Sequence, residues 1–123
     1  MNNSENSVEQ KAVATKSDMP PLTVKDLEAN IASEHYFTAG QGVQQAQEDT
    51  QNGRSDLEKD SPLHLITLCV LILRNGFTVT ATSIFADFKD FDPTNGRRIA
   101  RQNATQKVWM LMRHAQRSFQ NPT

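Results

Sequence analysis

The sequence predicts an α+β fold: a short N-terminal helix, a small antiparallel sheet of about three strands, and a long C-terminal helix packed on that sheet. Three observations predict it. Two strand-like runs in residues 63–85 flank Asn75-Gly76, the strongest short-range hairpin signal. Asp92-Pro93 opens a helix, with Asp as N-cap and Pro at the first helical position. A chain of 123 residues fits one domain.

Residues 1–21 hold Ser, Asn, Glu, Lys and Gln with scattered Val and Ala, and close on Met19-Pro20-Pro21. Such a stretch buries too little apolar surface to offset its ordering entropy, so it reads as a disordered tail before a single domain over 22–120. Thr23, with Asp26 three residues on, forms a weak capping box. Val24, Leu27, Ile31 and Ala32 then recur at helical spacing, predicting a helix over 24–33. Glu34-His35-Tyr36-Phe37-Thr38 fits a short strand. Gly40 and Gly42 are expected to break it. Residues 40–61 are polar, become acidic after Glu48 and show no sustained period, so they read as a mobile loop.

The run Leu63–Arg74 is apolar on both alternating sets, as a central strand requires, and the turn decides for strand over buried helix. Phe77, Val79, Ala81, Ser83 and Phe85 then alternate with Thr78, Thr80, Thr82 and Ile84, a strand burying one face. A type I′ turn at Asn75-Gly76 would join them, with positive φ at both residues. The last helix is expected over 93–118. Its apolar stripe is Ala100, Ala104, Val108, Leu111, Met112, Ala115 and Phe119. Ile99, Trp109 and Met110 fall off that stripe and are the candidate oligomer interface, since a core this small often needs oligomerisation.

A net charge of −1 conceals an asymmetry. Residues 1–92 carry all 14 acids and seven bases, whereas residues 93–123 carry six bases and no acid. The bases cluster toward the start of the last helix, where free N–H groups suit an anion. Arg97, Arg98, Arg101, Asn103 and Lys107 are therefore the candidate anion-binding set. The competing expectation is that these arginines pair with Asp87, Asp90 and Asp92. The six bases ring the helix, so they form no track for a duplex.

Other chemistry is sparse. The single Cys69 sits mid-strand among apolar residues, where it is inert. His35, His64 and His114 match no metal spacing. No glycine loop has the context to cradle phosphate. The expectation is a non-enzymatic protein with no catalytic residues, no metal and no cofactor. The longest apolar run, Leu68–Leu73, is far short of the roughly 20 residues of a spanning helix. No basic-then-apolar pattern marks a signal peptide at Met1–Ser7, so a cytoplasmic location is expected.

Three stretches carry a resemblance: Glu34–Ala39, Leu68–Thr80, and Asn95–Ala104 with Lys107 and Trp109. Together they resemble the family of small tailed-phage proteins named for gene product forty-nine and gene sixty-six of two enterobacterial phages. The resemblance covers about residues 22–112. The hairpin and the Asn-Ala-x-x-Lys-x-Trp stretch are its most specific parts. It departs from the family pattern at Ala81–Phe85 and after Trp109. The resemblance implies a phage or prophage gene and a product in the host bacterium's cytoplasm, without an established activity. Three function classes follow, in this order: a non-enzymatic accessory protein that binds an unidentified host protein; an oligomeric sponge for a small anionic nucleotide; and a weak nucleic-acid binder. The expected partners are a second copy of the chain (dimer or higher) and that host protein, with no membrane.

Overall fold

The computed structural model describes residues 20–120, so the expected tail lies almost wholly outside the described residues. Pro20 and Pro21 are exposed, and the Gln116 side chain donates to the Pro20 carbonyl at 3.1 Å.

Helix α1 spans Val24–Asn30. Thr23 Oγ1 accepts from Asp26 N–H, and the Asp26 carboxylate accepts from Thr23 N–H, the expected capping box. The helix stops three residues earlier than its spacing predicts, because Ile31 enters strand β1 (Ile31–Thr38) opposite Leu73. Helix α2 (Ala39–Thr50) begins at once, with Thr38 and Gln41 closing a second capping box. The polar loop expected over 40–61 is thus helical in its first half, and Gly40 and Gly42 lie inside the helix. Gly40 is needed there for room: a Cβ would strike the His64 ring. The segment reads as a loop because this helix is polar on most sides and Val43 and Ala46 alone set no sustained period. Its supports are local, Gln44 to Glu48 and Gln45 to Asp49.

A 3₁₀ turn at Pro62–Leu65 leads into strand β2 (Ile66–Leu73), which pairs antiparallel with β1 on one side and with β3 (Thr78–Ile84) on the other. The expected hairpin is present, but its turn differs from the type I′ expectation. Only Gly76 has positive φ, at 88°. Gly76 N–H donates to Leu73 O, and Leu73 N–H to Phe77 O, which fits a three-residue loop with glycine in the left-handed position. Asn75 instead uses its side chain, accepting from Phe77 N–H at 3.0 Å. A second 3₁₀ turn at Phe88–Asp90 precedes helix α3 (Pro93–Gln120), where Asp92 Oδ1 accepts from Thr94 N–H.

The sheet order is β1-β2-β3, and α3 covers one face. On that face Thr67, Cys69, Leu71 and Leu73 of β2 and Val79, Ala81 and Ser83 of β3 are buried. Ala100, Ala104 and Val108 of α3 meet them at zero exposure, and Gly96 extends the same row. Cys69 is a core residue, and burial pushes its thiol pKa up, away from reactivity. On the opposite face Ile66, Leu68, Val70 and Ile72 are half-buried, and Thr78, Thr80, Thr82 and Ile84 are exposed.

The helix stripe holds through Val108 and Met112, then fails: Leu111 is 40% exposed and Ala115 is exposed. The side chain of Phe119 lies outside the described residues. A 28-residue helix is about 42 Å long, whereas an eight-residue strand spans about 27 Å, so the last turns overshoot the sheet. Trp109, placed off the stripe by the helical wheel, packs against the core, with the Arg113 guanidinium 5.4 Å from its ring centroid. Ile99 is half-buried and Met110 is 67% exposed.

A Cβ at Gly96 would sit 2.8 Å from Thr67 Oγ1. Thr67 is β-branched and buried, so it cannot swing away freely. Gly96→Ala is therefore expected to destabilise the fold by about 1–3 kcal/mol through overpacking, despite the better helix propensity of alanine. In Thr67→Ala the same change should cost much less. Chemical denaturation of the four proteins in this cycle checks the coupling.

Candidate functional site

Helix α3 carries all five residues of the expected anion-binding set, and the structure distributes them to four different tasks. Arg101 sits where α1, β1 and α3 meet. Its guanidinium makes two bonds to Glu28, at 2.7 and 3.1 Å, and two to Glu34, at 3.0 and 3.3 Å. Tyr36 O–H donates to the same Glu34 carboxylate at 2.6 Å. Arg101, then Tyr36, hold the Glu34 carboxyl below its ordinary value. Glu28 and then Glu34 push the Arg101 pKa up in turn. Burial, then the Glu34 bond, pushes the Tyr36 phenol up. The arginine thus finds its acids on α1 and β1; the expected partners Asp87 and Asp90 take no part. Asp87 and Asp92 accept from backbone N–H groups near them instead.

Arg98 folds back onto its own helix, donating twice to Asn95 Oδ1 at 3.0 and 2.6 Å. Asn103 and Lys107 reach over the outer edge of β3. Asn103 Nδ2 donates to Thr82 O at 2.9 Å, and Lys107 Nζ to Thr80 O at 2.6 Å. They cover an edge strand's free carbonyls, a structural use that the Asn-x-x-x-Lys spacing encodes.

Arg97 alone is turned toward open space. Its one bond among the described residues, to Thr94 Oγ1, is long at 3.4 Å. It lines an open cleft of about 390 Å³ between the start of α3, the end of β1 and the start of β2. Gln41 and His64 stand on the other side, and Phe37 and Phe91 provide apolar wall. Phe91 is held edge-on against Phe85, with ring centroids 5.5 Å apart. His64 is fixed by a 3.0 Å bond between its Nε2 and the Glu58 carbonyl. Thr67 also lines the cleft. It is 2% exposed, and its Oγ1 has no hydrogen-bond partner. Its strand neighbour Ser83 satisfies itself on the Gly96 carbonyl at 2.8 Å. An unpaired buried hydroxyl costs about 1–3 kcal/mol.

Thr67, Gln41 and His64 were not among the sequence-derived candidates. The signal for Thr67 was present: it is the one hydroxyl in the apolar run Leu63–Leu73. Gln41 and His64 had no such signal, because only the second capping box and the 3₁₀ turn bring them together. Among the described residues, no group of His, Cys, Asp and Glu is arranged to hold a metal ion, and no helix is long and apolar enough to cross a membrane.

The Glu34 carboxylate ties stability to pH. Its pKa is lowered in the fold, so its contribution is complete above its ordinary value of 4.5 and is lost as pH falls below that. Glu34→Gln should melt below the wild type at pH 7. The gap between the two melting points should narrow as pH drops from about 4.5 toward 3, which a pH series of thermal melts reads directly.

No curated protein and no solved structure matches the chain. One family does, over residues 22–119, which takes in every helix and strand described above apart from the final residue of α3. The chain belongs to the phage protein (N4 Gp49/phage Sf6 gene 66) family.

Proposed function

We propose that this phage protein is a non-enzymatic accessory factor that works in the host cytoplasm by binding a host protein. The observation that carries the reading is the second face of the sheet. There β2 presents Ile66, Leu68, Val70 and Ile72, all half-buried, between Phe37 of β1 and Ile84 of β3, which is 71% exposed. Contiguous apolar surface of this kind marks protein–protein contact. No Lys, Arg, Asp or Glu stands among the residues paired across that face; Ser33, His35 and threonines complete it. A homo-oligomer is the companion proposal: of the expected surface Ile99, Trp109 and Met110, Met110 stands most open, the exposed Leu111 and Phe77 add apolar area, and Trp109 contributes less because it packs inward.

The nucleic-acid reading draws less support from this arrangement. Arg101, Asn103 and Lys107 spend their donors on the chain itself, leaving fewer groups to neutralise phosphates along a strand. A nucleotide sponge retains Arg97, the one cleft-facing Lys or Arg among the described residues.

Val70→Lys puts a charge in the middle of the open face without touching the core beneath α3. In crosslinking and co-purification from phage-infected cells, the protein captured by the wild type is expected to be lost with Val70→Lys at unchanged melting temperature. Undiminished capture by the variant refutes the assignment of this face.

A further inference from the structure

The geometry points to a ligand site in the Arg97 cleft, built for a small phosphate monoester whose organic part is a planar ring. The cleft opens at the start of α3, ahead of the edge-covering Asn103 and Lys107, and its donors take no part in the protein-binding face.

Three independent features converge there. The first is charge. Among the described residues, Arg97 is the one Lys or Arg on the cleft wall, it makes no ion pair, and no carboxylate lines the cleft. Asp92, just before the helix, is turned to Thr94 N–H at 3.2 Å, and Glu34 is engaged by Arg101 and Tyr36. A guanidinium with free forked donors matches phosphate oxygens. The second is the floor. Thr67 is 2% exposed, lines the cleft and leaves Oγ1 without a partner, although its neighbour Ser83 is satisfied. Buried polar atoms in native proteins are nearly always paired, so this hydroxyl, packed against Gly96 at the cleft floor, holds an unmet hydrogen-bonding capacity beside the site. Gln41 adds an amide: its Oε1 is taken by Thr38 N–H, and its NH₂ makes no bond among the described residues. The third is the wall. Phe37 and Phe91 give apolar and aromatic surface beside these donors. A volume of about 390 Å³ falls within the range of small-ligand pockets, and apolar walls with a few convergent donors are their usual make-up.

The site is also shaped by the fold at its narrowest point. Gly96 lies against Thr67 Oγ1, so the start of α3 approaches the strand closely enough to set Arg97 over the cleft. The donors come from α2, β2 and α3, which are far apart in sequence.

The test is a ¹H–¹⁵N NMR titration of the full chain with adenosine 5′-monophosphate, inorganic phosphate and adenosine in parallel. The nucleotide is expected to shift the amides of Gln41, Thr67 and Gly96 along one saturable curve. Inorganic phosphate should bind at least tenfold more weakly, and adenosine at least tenfold more weakly again than the nucleotide does. Arg97→Gln should weaken the nucleotide at least tenfold with an unchanged melting temperature. Arg98→Gln, whose guanidinium is tied to Asn95 outside the cleft, should stay within twofold. Thr67→Val, which keeps side-chain shape, should also weaken binding while the fold persists. The proposal is overturned if the nucleotide produces no saturable shift at millimolar concentration, or if Arg97→Gln binds as well as wild type. It is equally overturned if phosphate alone matches the nucleotide, since the ring walls then do nothing, or if adenosine matches it, since the anion is then not read.

Discussion

The close approach of α3 to the sheet governs the rest of this structure. Gly96, Ala100, Ala104 and Val108 recur every four residues, so they share one face of the helix, and three of the four carry a methyl group or less. Against them the strands set Thr67, Cys69, Leu71 and Leu73, with Val79, Ala81 and Ser83 beside. Small groups on the helix and larger ones on the sheet let the two backbones come near without voids. Gly96 marks the tightest point, where even a methyl group would collide with Thr67.

That approach decides what the basic residues can do. Four residues along a helix rise about 6 Å, close to the roughly 6.8 Å between alternate residues of a strand. Asn103 and Lys107 therefore fall into step with Thr82 and Thr80 and bond their carbonyls in turn. Arg101, on another side of the same helix, gathers Glu28 from α1 and Glu34 from β1 into one cluster. Half-exposed ion pairs of this kind contribute little energy singly; a bidentate arginine with two acids gains more from its fixed geometry. The positive charge of the C-terminal quarter thus answers part of the negative charge that precedes it.

The features legible from sequence alone are those set by short-range chemistry. The Thr23 capping box, the Asp92-Pro93 helix start and the alternation of β3 each depend on residues within a few positions of one another. Helix α2 was illegible because almost nothing apolar marks it; its start depends on Thr38 and Gln41, which read as the end of a strand and as part of a loop. The turn departs from type I′ because Asn75 satisfies its loop with a side chain where a type I′ turn would require positive φ. Trp109 leans onto the core from beside the apolar stripe, and a helical wheel carries no information on how far a large indole leans. The partners of Arg101 lie 67 and 73 residues away, and no local pattern could name them. The cleft was illegible for the same reason: its walls meet only once α2, β2 and α3 are in place.

The two outer surfaces of the sheet differ in what they admit. A sheet face meant for water alternates polar side chains on every strand, as β3 does with Thr78, Thr80 and Thr82. Strand β2 does not: both of its faces are apolar, and the long helix α3 lies over one of them. Leaving Ile66, Leu68, Val70 and Ile72 to water is a standing cost that threonines and His35 around them reduce without removing. The edge of β3 is a different case, because Asn103 and Lys107 already occupy two of its outward carbonyls, and an incoming strand would have to displace both. A protein partner therefore gains most by lying across the face of β2, where apolar area is already exposed and no hydrogen bond must be broken.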